Sequence, residues 1–174
     1  MMKPIILTGY MGAGKTTVGG LLAEQEGFAF LDTDAAIEER EGRSIPDIFA
    51  AVGERSFRDM ETALIREFSE KGLYDTVLSV GGGLPVREEN RRFLKNLGTV
   101  IYLKASAETI IKRVSGSENR PLLKGGELSD KVNRMLSERE PLYEQGADII
   151  VETDGSTALE IVREIKKRLK NIMF

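Results

Sequence analysis

The chain has 174 residues, 41% hydrophobic, 30% charged and 6% aromatic, enough for one domain with a sizeable core. Its 25 Lys and Arg against 28 Asp and Glu leave a net charge of −3, which argues against a surface built for nucleic acid or anionic membrane. It has neither Cys nor His, which excludes disulfides, thiolate or imidazole metal sites, the Ser-His-Asp triad and the usual general base.

Short apolar runs alternate with stretches of helical period along the chain. Ile5-Ile6-Leu7 reads as a first strand, followed by a helix with Val18, Leu21 and Leu22 on one face. Ala29-Phe30-Leu31 gives a second strand, then a helix over Ala35–Glu41 closed by Gly42. Ser44 caps a further helix, and Phe57, Met60, Leu64 and Phe68 stripe the one after it. Val77–Val80 and Val100–Leu103 are the third and fourth strands, Ile149–Val151 the fifth, and Leu159, Val162, Ile165 and Leu169 mark a last helix. The strands are nearly continuous in apolar residues, as strands covered on both faces are. Alternating strands and helices predict an α/β fold with a parallel sheet. The connection from Thr33 to Thr76 is long enough for at least two helices, and Ser115–Ser129 is irregular and rich in Gly, Ser and charge. One domain spanning 1–174 is the expectation, with no repeat or linker.

Gly9-Tyr10-Met11-Gly12-Ala13-Gly14-Lys15-Thr16 fits the pattern G-x-x-x-x-G-K-[ST] between a strand and a helix. Glycines there let successive backbone N–H groups turn inward to phosphate oxygens, and the helix N-terminus adds its dipole. Lys15 reaches the β and γ phosphates and the Thr16 hydroxyl ligates Mg²⁺. Nucleotide binding follows.

The remaining candidates have two readings each. Asp32 and Asp34 end the second strand, where α/β sheets place ligands. They can divide between metal waters and an acceptor hydroxyl, or Asp34 can simply cap the helix after it. Arg58 and Glu61 are three apart, so the carboxylate either braces the guanidinium for a substrate anion or forms a surface ion pair. Gly81-Gly82-Gly83 follows the third strand, as an open approach for a ligand or as a turn. Arg139 continues the apolar stripe Val132, Met135, Leu136 with no acidic residue on it, so it meets a ligand anion or snorkels to water. Arg113 and Arg120 flank or ride the 115–129 stretch, which suits a lid over ATP with Arg120 on the transferring phosphoryl group.

In this order these motifs resemble the shikimate kinase family, and the resemblance covers nearly the whole chain. It rests on Gly9–Gly19, Asp32-Thr33-Asp34, Gly42-Arg43-Ser44-Ile45, Gly53-Glu54-x-x-Phe57-Arg58-x-x-Glu61, Gly81-Gly82-Gly83 and Arg120-Pro121-Leu122-Leu123. The resemblance implies a nucleoside-monophosphate-kinase-like P-loop fold, five parallel strands in the order 2-3-1-4-5, an acceptor-binding insertion at 34–61 and a mobile lid at 115–129. The implied reaction moves the γ-phosphoryl of ATP to the 3-hydroxyl of shikimate, in aromatic amino-acid synthesis. By the same resemblance Asp34, Arg58, Gly82 and Arg139 hold shikimate, with Arg58 and Arg139 on its carboxylate. Gly12, Ala13, Gly14, Lys15, Thr16, Thr17, Arg113 and Arg120 meet the nucleotide, Arg113 at the adenine face. Lys15, Asp34 and Arg120 carry catalysis, and Mg²⁺ is held by Thr16 directly and by Asp32 through water. The Asp154-Gly155-Ser156 loop lacks the Pro or basic residue that some relatives place near adenine. Gluconate or a nucleoside monophosphate is the alternative acceptor on the same fold. No apolar run reaches membrane length and Met1–Gly9 is too short in apolar residues for a signal peptide. The expected protein is therefore a cytoplasmic monomer that binds shikimate and ATP but neither nucleic acid nor membrane.

Overall fold

The computed structural model describes residues 1–116 and 126–172. Five parallel strands lie in the order β2-β3-β1-β4-β5. They are β1 (Ile5–Thr8), β2 (Ala29–Asp32), β3 (Thr76–Ser79), β4 (Thr99–Lys104) and β5 (Ile149–Glu152). The helices are α1 (Lys15–Glu26), α2 (Thr33–Glu41), α3 (Ile45–Lys71), α4 (Glu88–Leu97), α5 (Ala107–Ser115), α6 (Gly126–Gly146) and α7 (Ala158–Ile172). No helix among the described residues is long and apolar enough to cross a membrane.

Residue parity along β1 divides the core into two layers. Ile5 and Leu7 cluster with Val18 and Leu22 of α1 and with Val162 and Ile165 of α7. Ile6 turns the other way and joins Leu78, Val100, Ile65 of α3, and Leu94 and Leu97 of α4. Each fully buried Leu or Ile adds roughly 1.5–3 kcal/mol, so a one-residue slip of β1 would forfeit both layers. The register Ile6–Leu78 and Ile6–Val100 fixes β1 at the sheet centre, with its C-terminal end between those of β3 and β4.

Three features differ from the sequence expectation: strand burial at the sheet edges, the start of α2 and the bounds of the irregular stretch. Burial on both faces holds for β1 and β3, but β5 alternates buried and exposed and β2 is exposed at Ala29 and Phe30. Both are sheet edges, which carry neighbours on one side only. Helix α2 starts two residues earlier than expected, at Thr33, because Asp32 is its cap. At both ends of the expected 115–129 stretch the chain is helical: Ser115 ends α5, and 126–129 already belong to α6, whose Leu128 and Val132 are buried one turn apart. The long connection holds α2 and α3 as expected, with α3 broken at Gly53 (φ 82, ψ 169). Ser44 caps α3, accepting from the Asp47 N–H.

Candidate active site

The carboxyl ends of β1, β2 and β3 open into one cleft of about 660 Å³. The phosphate loop forms its floor between β1 and α1. Gly12 (φ 84) and Gly14 (φ 97) adopt left-handed backbone, which side-chain-bearing residues rarely tolerate. The Ala13 N–H is tied to the Tyr10 carbonyl at 3.0 Å, closing the turn. Lys15 folds back over the loop, donating to Gly9 O at 2.7 Å and Tyr10 O at 3.2 Å. Burial pulls its pKa down to about 8, against the opposing charges of Asp34 and Asp32. A phosphate arriving here would meet an amine held, among the described residues, by two carbonyls.

The acceptor end is built from four separated segments. Asp32 Oδ1 accepts the N–H groups of Asp34 (2.9 Å) and Ala35 (3.1 Å), so Asp32 caps α2 and Asp34 does not. That leaves the Asp34 carboxylate in the cleft, where burial and then the Asp32 charge raise its pKa against Lys15 and Arg58. Arg58 donates to Glu61 Oε2 at 2.8 Å and to Glu54 Oε1 at 3.3 Å. Burial alone would lower the Arg58 pKa; its bonds to Glu61 and Glu54 outweigh that and the net shift is upward. The guanidinium also lies 5.4 Å from the Phe57 ring centroid. Glu61 is 1% exposed, and burial lifts its carboxyl above the usual range although Arg58 pulls it down. Its second oxygen, Oε1, has no hydrogen-bond partner among the described residues. Glu61 therefore braces Arg58 from inside the protein rather than at a surface.

Two of the three glycines are packed against these side chains. A β-carbon on Gly81 would stand 2.7 Å from Asp34 Oδ1 and 2.9 Å from Glu61 Oε1, and one on Gly83 would overlap the Arg58 guanidinium. The Gly81 N–H is already committed to Thr33 Oγ1 at 2.9 Å. Helix α6 brings Lys131, Met135 and Arg139 to the same cleft. Arg139 is half-buried and stacks over Tyr10, 5.8 Å from the ring centroid. Arg58 and Arg139, 81 positions apart in sequence, thus line one cleft with Asp34, Gly82, Lys15, Thr16, Thr17 and Asp32. Phe49 and Phe57, 5.0 Å apart, supply its apolar wall; the sequence reading did not single out Phe49, whose only signal was its place on the stripe of α3.

Arg113 lies beside the phosphate loop, donating to Gly12 O at 3.0 Å. Its charge also acts on Asp154, whose Oδ1 accepts from the Ser106 N–H at 3.0 Å. The loop after β5 is therefore held beside Arg113. Arg120 and most of the expected lid lie outside the described residues. Thr16 and Asp32 share the cleft, and no cluster of three acidic side chains suited to a metal occurs among the described residues. A hydroxyl and one carboxylate fit Mg²⁺, which keeps several waters and takes further oxygens from phosphates.

The family model for shikimate kinase matches residues 11–170. The chain belongs to the shikimate kinase family. It is 44% identical over 171 residues to the shikimate kinase of Chromohalobacter salexigens, covering 98% of this chain and 94% of that protein. It is likewise 44% identical over 169 residues to the shikimate kinase of Persephonella marina, covering 97% and 100%. Among solved structures, shikimate kinase from Acinetobacter baumannii in complex with shikimate superposes with a TM-score of 0.89 at 38% identity, covering 98% and 94%. The shikimate kinase fold expected from the motifs, with its 2-3-1-4-5 sheet, is the one observed.

Proposed function

We propose that this chain transfers the γ-phosphoryl group of ATP to the 3-hydroxyl of shikimate, giving shikimate 3-phosphate and ADP. The observation that carries the reading is the convergence of Arg58 and Arg139 with Asp34 at the acceptor end of a phosphate-loop cleft. A small acid with ring hydroxyls matches that set: guanidinium forks for its carboxylate and an aspartate for a hydroxyl. Family membership and the shikimate bound to the Acinetobacter relative support the same acceptor.

Each residue then has a part. Gly12, Ala13, Gly14, Thr16 and Thr17 present the phosphate loop, Lys15 holds the β and γ phosphates, and Arg113 covers the adenine side. Asp34 aligns the acceptor hydroxyl and takes its proton as the O–P bond forms and the bond from the γ-phosphorus to the bridging oxygen of ADP breaks. Phosphoryl transfer needs mainly positioning and charge stabilisation, so a carboxylate held in place suffices. Thr16 and Asp32 would hold Mg²⁺, which when bound neutralises phosphate charge. Arg120, outside the described residues, would add charge at the transferring group. The cysteine-free composition and ATP as donor support a cytoplasmic setting, and we read the chain as a monomer.

A coupled assay of ADP release with shikimate, gluconate and nucleoside monophosphates tests the reading. Turnover dependent on Mg²⁺ and shikimate is expected. Equal ADP release without shikimate, or turnover with only another acceptor, overturns it.

A further inference from the structure

Tyr143 lies on α6, is 1% exposed, and packs its ring 5.1 Å from that of Tyr102 on β4. The two tyrosines share one core cluster but differ at their hydroxyls. Among the described residues Tyr102 Oη is buried with no hydrogen-bond partner, so phenylalanine at 102 would break no hydrogen bond there. Tyr143 Oη donates to the Gly82 carbonyl at 2.6 Å, across 61 residues of sequence. Arg139 is four residues earlier on the same helix, one turn away and on the same face. Burial pushes the Tyr143 hydroxyl up to about 12, with the neighbouring Arg139 guanidinium acting in the opposite direction. The hydroxyl therefore stays a proton donor through the physiological range.

Gly82 lies between the phosphate loop and α6. A β-carbon on Gly82 would stand 3.5 Å from Gly9 O and Met11 N of the phosphate loop and 3.6 Å from Tyr143 Oη. We propose that Tyr143 is a positioning residue of the acceptor pocket: its hydroxyl pins Gly82 to α6 and so sets the spacing between the glycine loop and Arg139. This deepens the reading of the cleft as a shikimate site and rests on it. Two physical consequences follow. Peptide planarity means that fixing the Gly82 carbonyl also fixes the direction of the Gly83 N–H, on the residue against which Arg58 packs. And a carbonyl oxygen satisfied by a phenol carries less exposed negative potential at the end of the cleft that receives an anion. Without the phenol, the carbonyl is left unsatisfied and the loop is free to shift away from Arg139.

The test is steady-state kinetics on the full chain as wild type, Tyr143→Phe and Tyr102→Phe, varying shikimate and ATP separately, with thermal melting of all three. Tyr143→Phe should raise KM for shikimate about five- to tenfold, the effect of one hydrogen bond on binding. Its kcat and KM for ATP should stay within about twofold. Tyr102→Phe removes a hydroxyl from the same cluster and should leave KM for shikimate unchanged. A KM for shikimate within twofold of wild type in Tyr143→Phe overturns the proposal, and so does an equal rise in both KM values. If Tyr143→Phe melts below the assay temperature, shikimate titration of the folded proteins in the cold decides by the same ratio. Wild type inactive with shikimate would refute the function itself; active wild type with an unaffected Tyr143→Phe refutes only the positioning role.

Discussion

The Arg58 guanidinium lies against the α-carbon of Gly83, in the space a β-carbon would fill. Glycine at this position is thus required by an arginine of the same chain, besides any ligand. Gly81 stands in the same relation to Asp34 and Glu61, at 2.7 and 2.9 Å from a β-carbon position. Gly81→Ala and Gly83→Ala should each displace an acceptor-side charge and raise KM for shikimate by roughly tenfold or more. Gly82→Ala, whose β-carbon meets its nearest atoms at 3.5–3.6 Å, should have a clearly smaller effect. Melting curves separate these losses from unfolding, and a Gly82→Ala variant more impaired than the other two contradicts the packing account.

The two aspartates after β2 should separate cleanly by experiment. Asp32 caps α2 through Asp34 N–H and Ala35 N–H, so Asp32→Ala should lower stability by about 1 kcal/mol. Asp34 is different. Burial raises its pKa in the fold, and a group with a raised folded pKa favours folding below its unfolded pKa and loses that contribution as pH rises through the folded value. At neutral pH its charge is therefore a burden on stability. Asp34→Asn should melt at or above the wild-type temperature while losing most turnover. Lower stability with retained rate would return Asp34 to a purely structural role.

Much of this site is legible in the sequence because its parts are local. The phosphate loop is one contiguous run, and Arg58 and Glu61 share a helix face by spacing alone. What the sequence does not carry is which of two equivalent side chains takes a job. Asp32 and Asp34 both suit a helix cap, and only the backbone angle at the end of β2 selects Asp32. The packing of Gly81 and Gly83 against Asp34, Glu61 and Arg58 depends on α2 and α3 folding over the end of β3, which no window of sequence contains. Tyr143 reads as an ordinary core aromatic, since its partner Gly82 is 61 residues away. The two-sided burial expected of β2 and β5 fails for a similar reason: edge position belongs to the sheet order, not to the strand.

Lys15 predicts a proton signature for nucleotide binding. Its pKa of about 8 in the free protein comes first from burial, and phosphate anions beside the amine favour its charged form. Binding ATP should therefore take up little proton near about pH 7, where the amine is already charged. Near about pH 9 uptake should approach about one proton. Calorimetry in buffers of different ionisation enthalpy reads this directly. Uptake that is absent at the higher pH, or unchanged in Lys15→Met, contradicts the assignment.

The clamp of Arg58 and Arg139 on one carboxylate is the claim on which the acceptor assignment stands. Both arginines line the cleft, Arg58 fixed by Glu61 at 2.8 Å and Arg139 stacked over Tyr10. Charge-assisted bonds in such a pocket make truncation of one partner cost roughly 2–5 kcal/mol of binding, and Lys cannot reproduce the planar fork. The most direct measurement compares the affinity of shikimate with that of its neutral carboxamide, for wild type and for Arg139→Ala. Wild type should strongly prefer the acid, and Arg139→Ala should lose most of that preference. An Arg139→Ala variant that binds both ligands more weakly by the same factor would contradict the clamp.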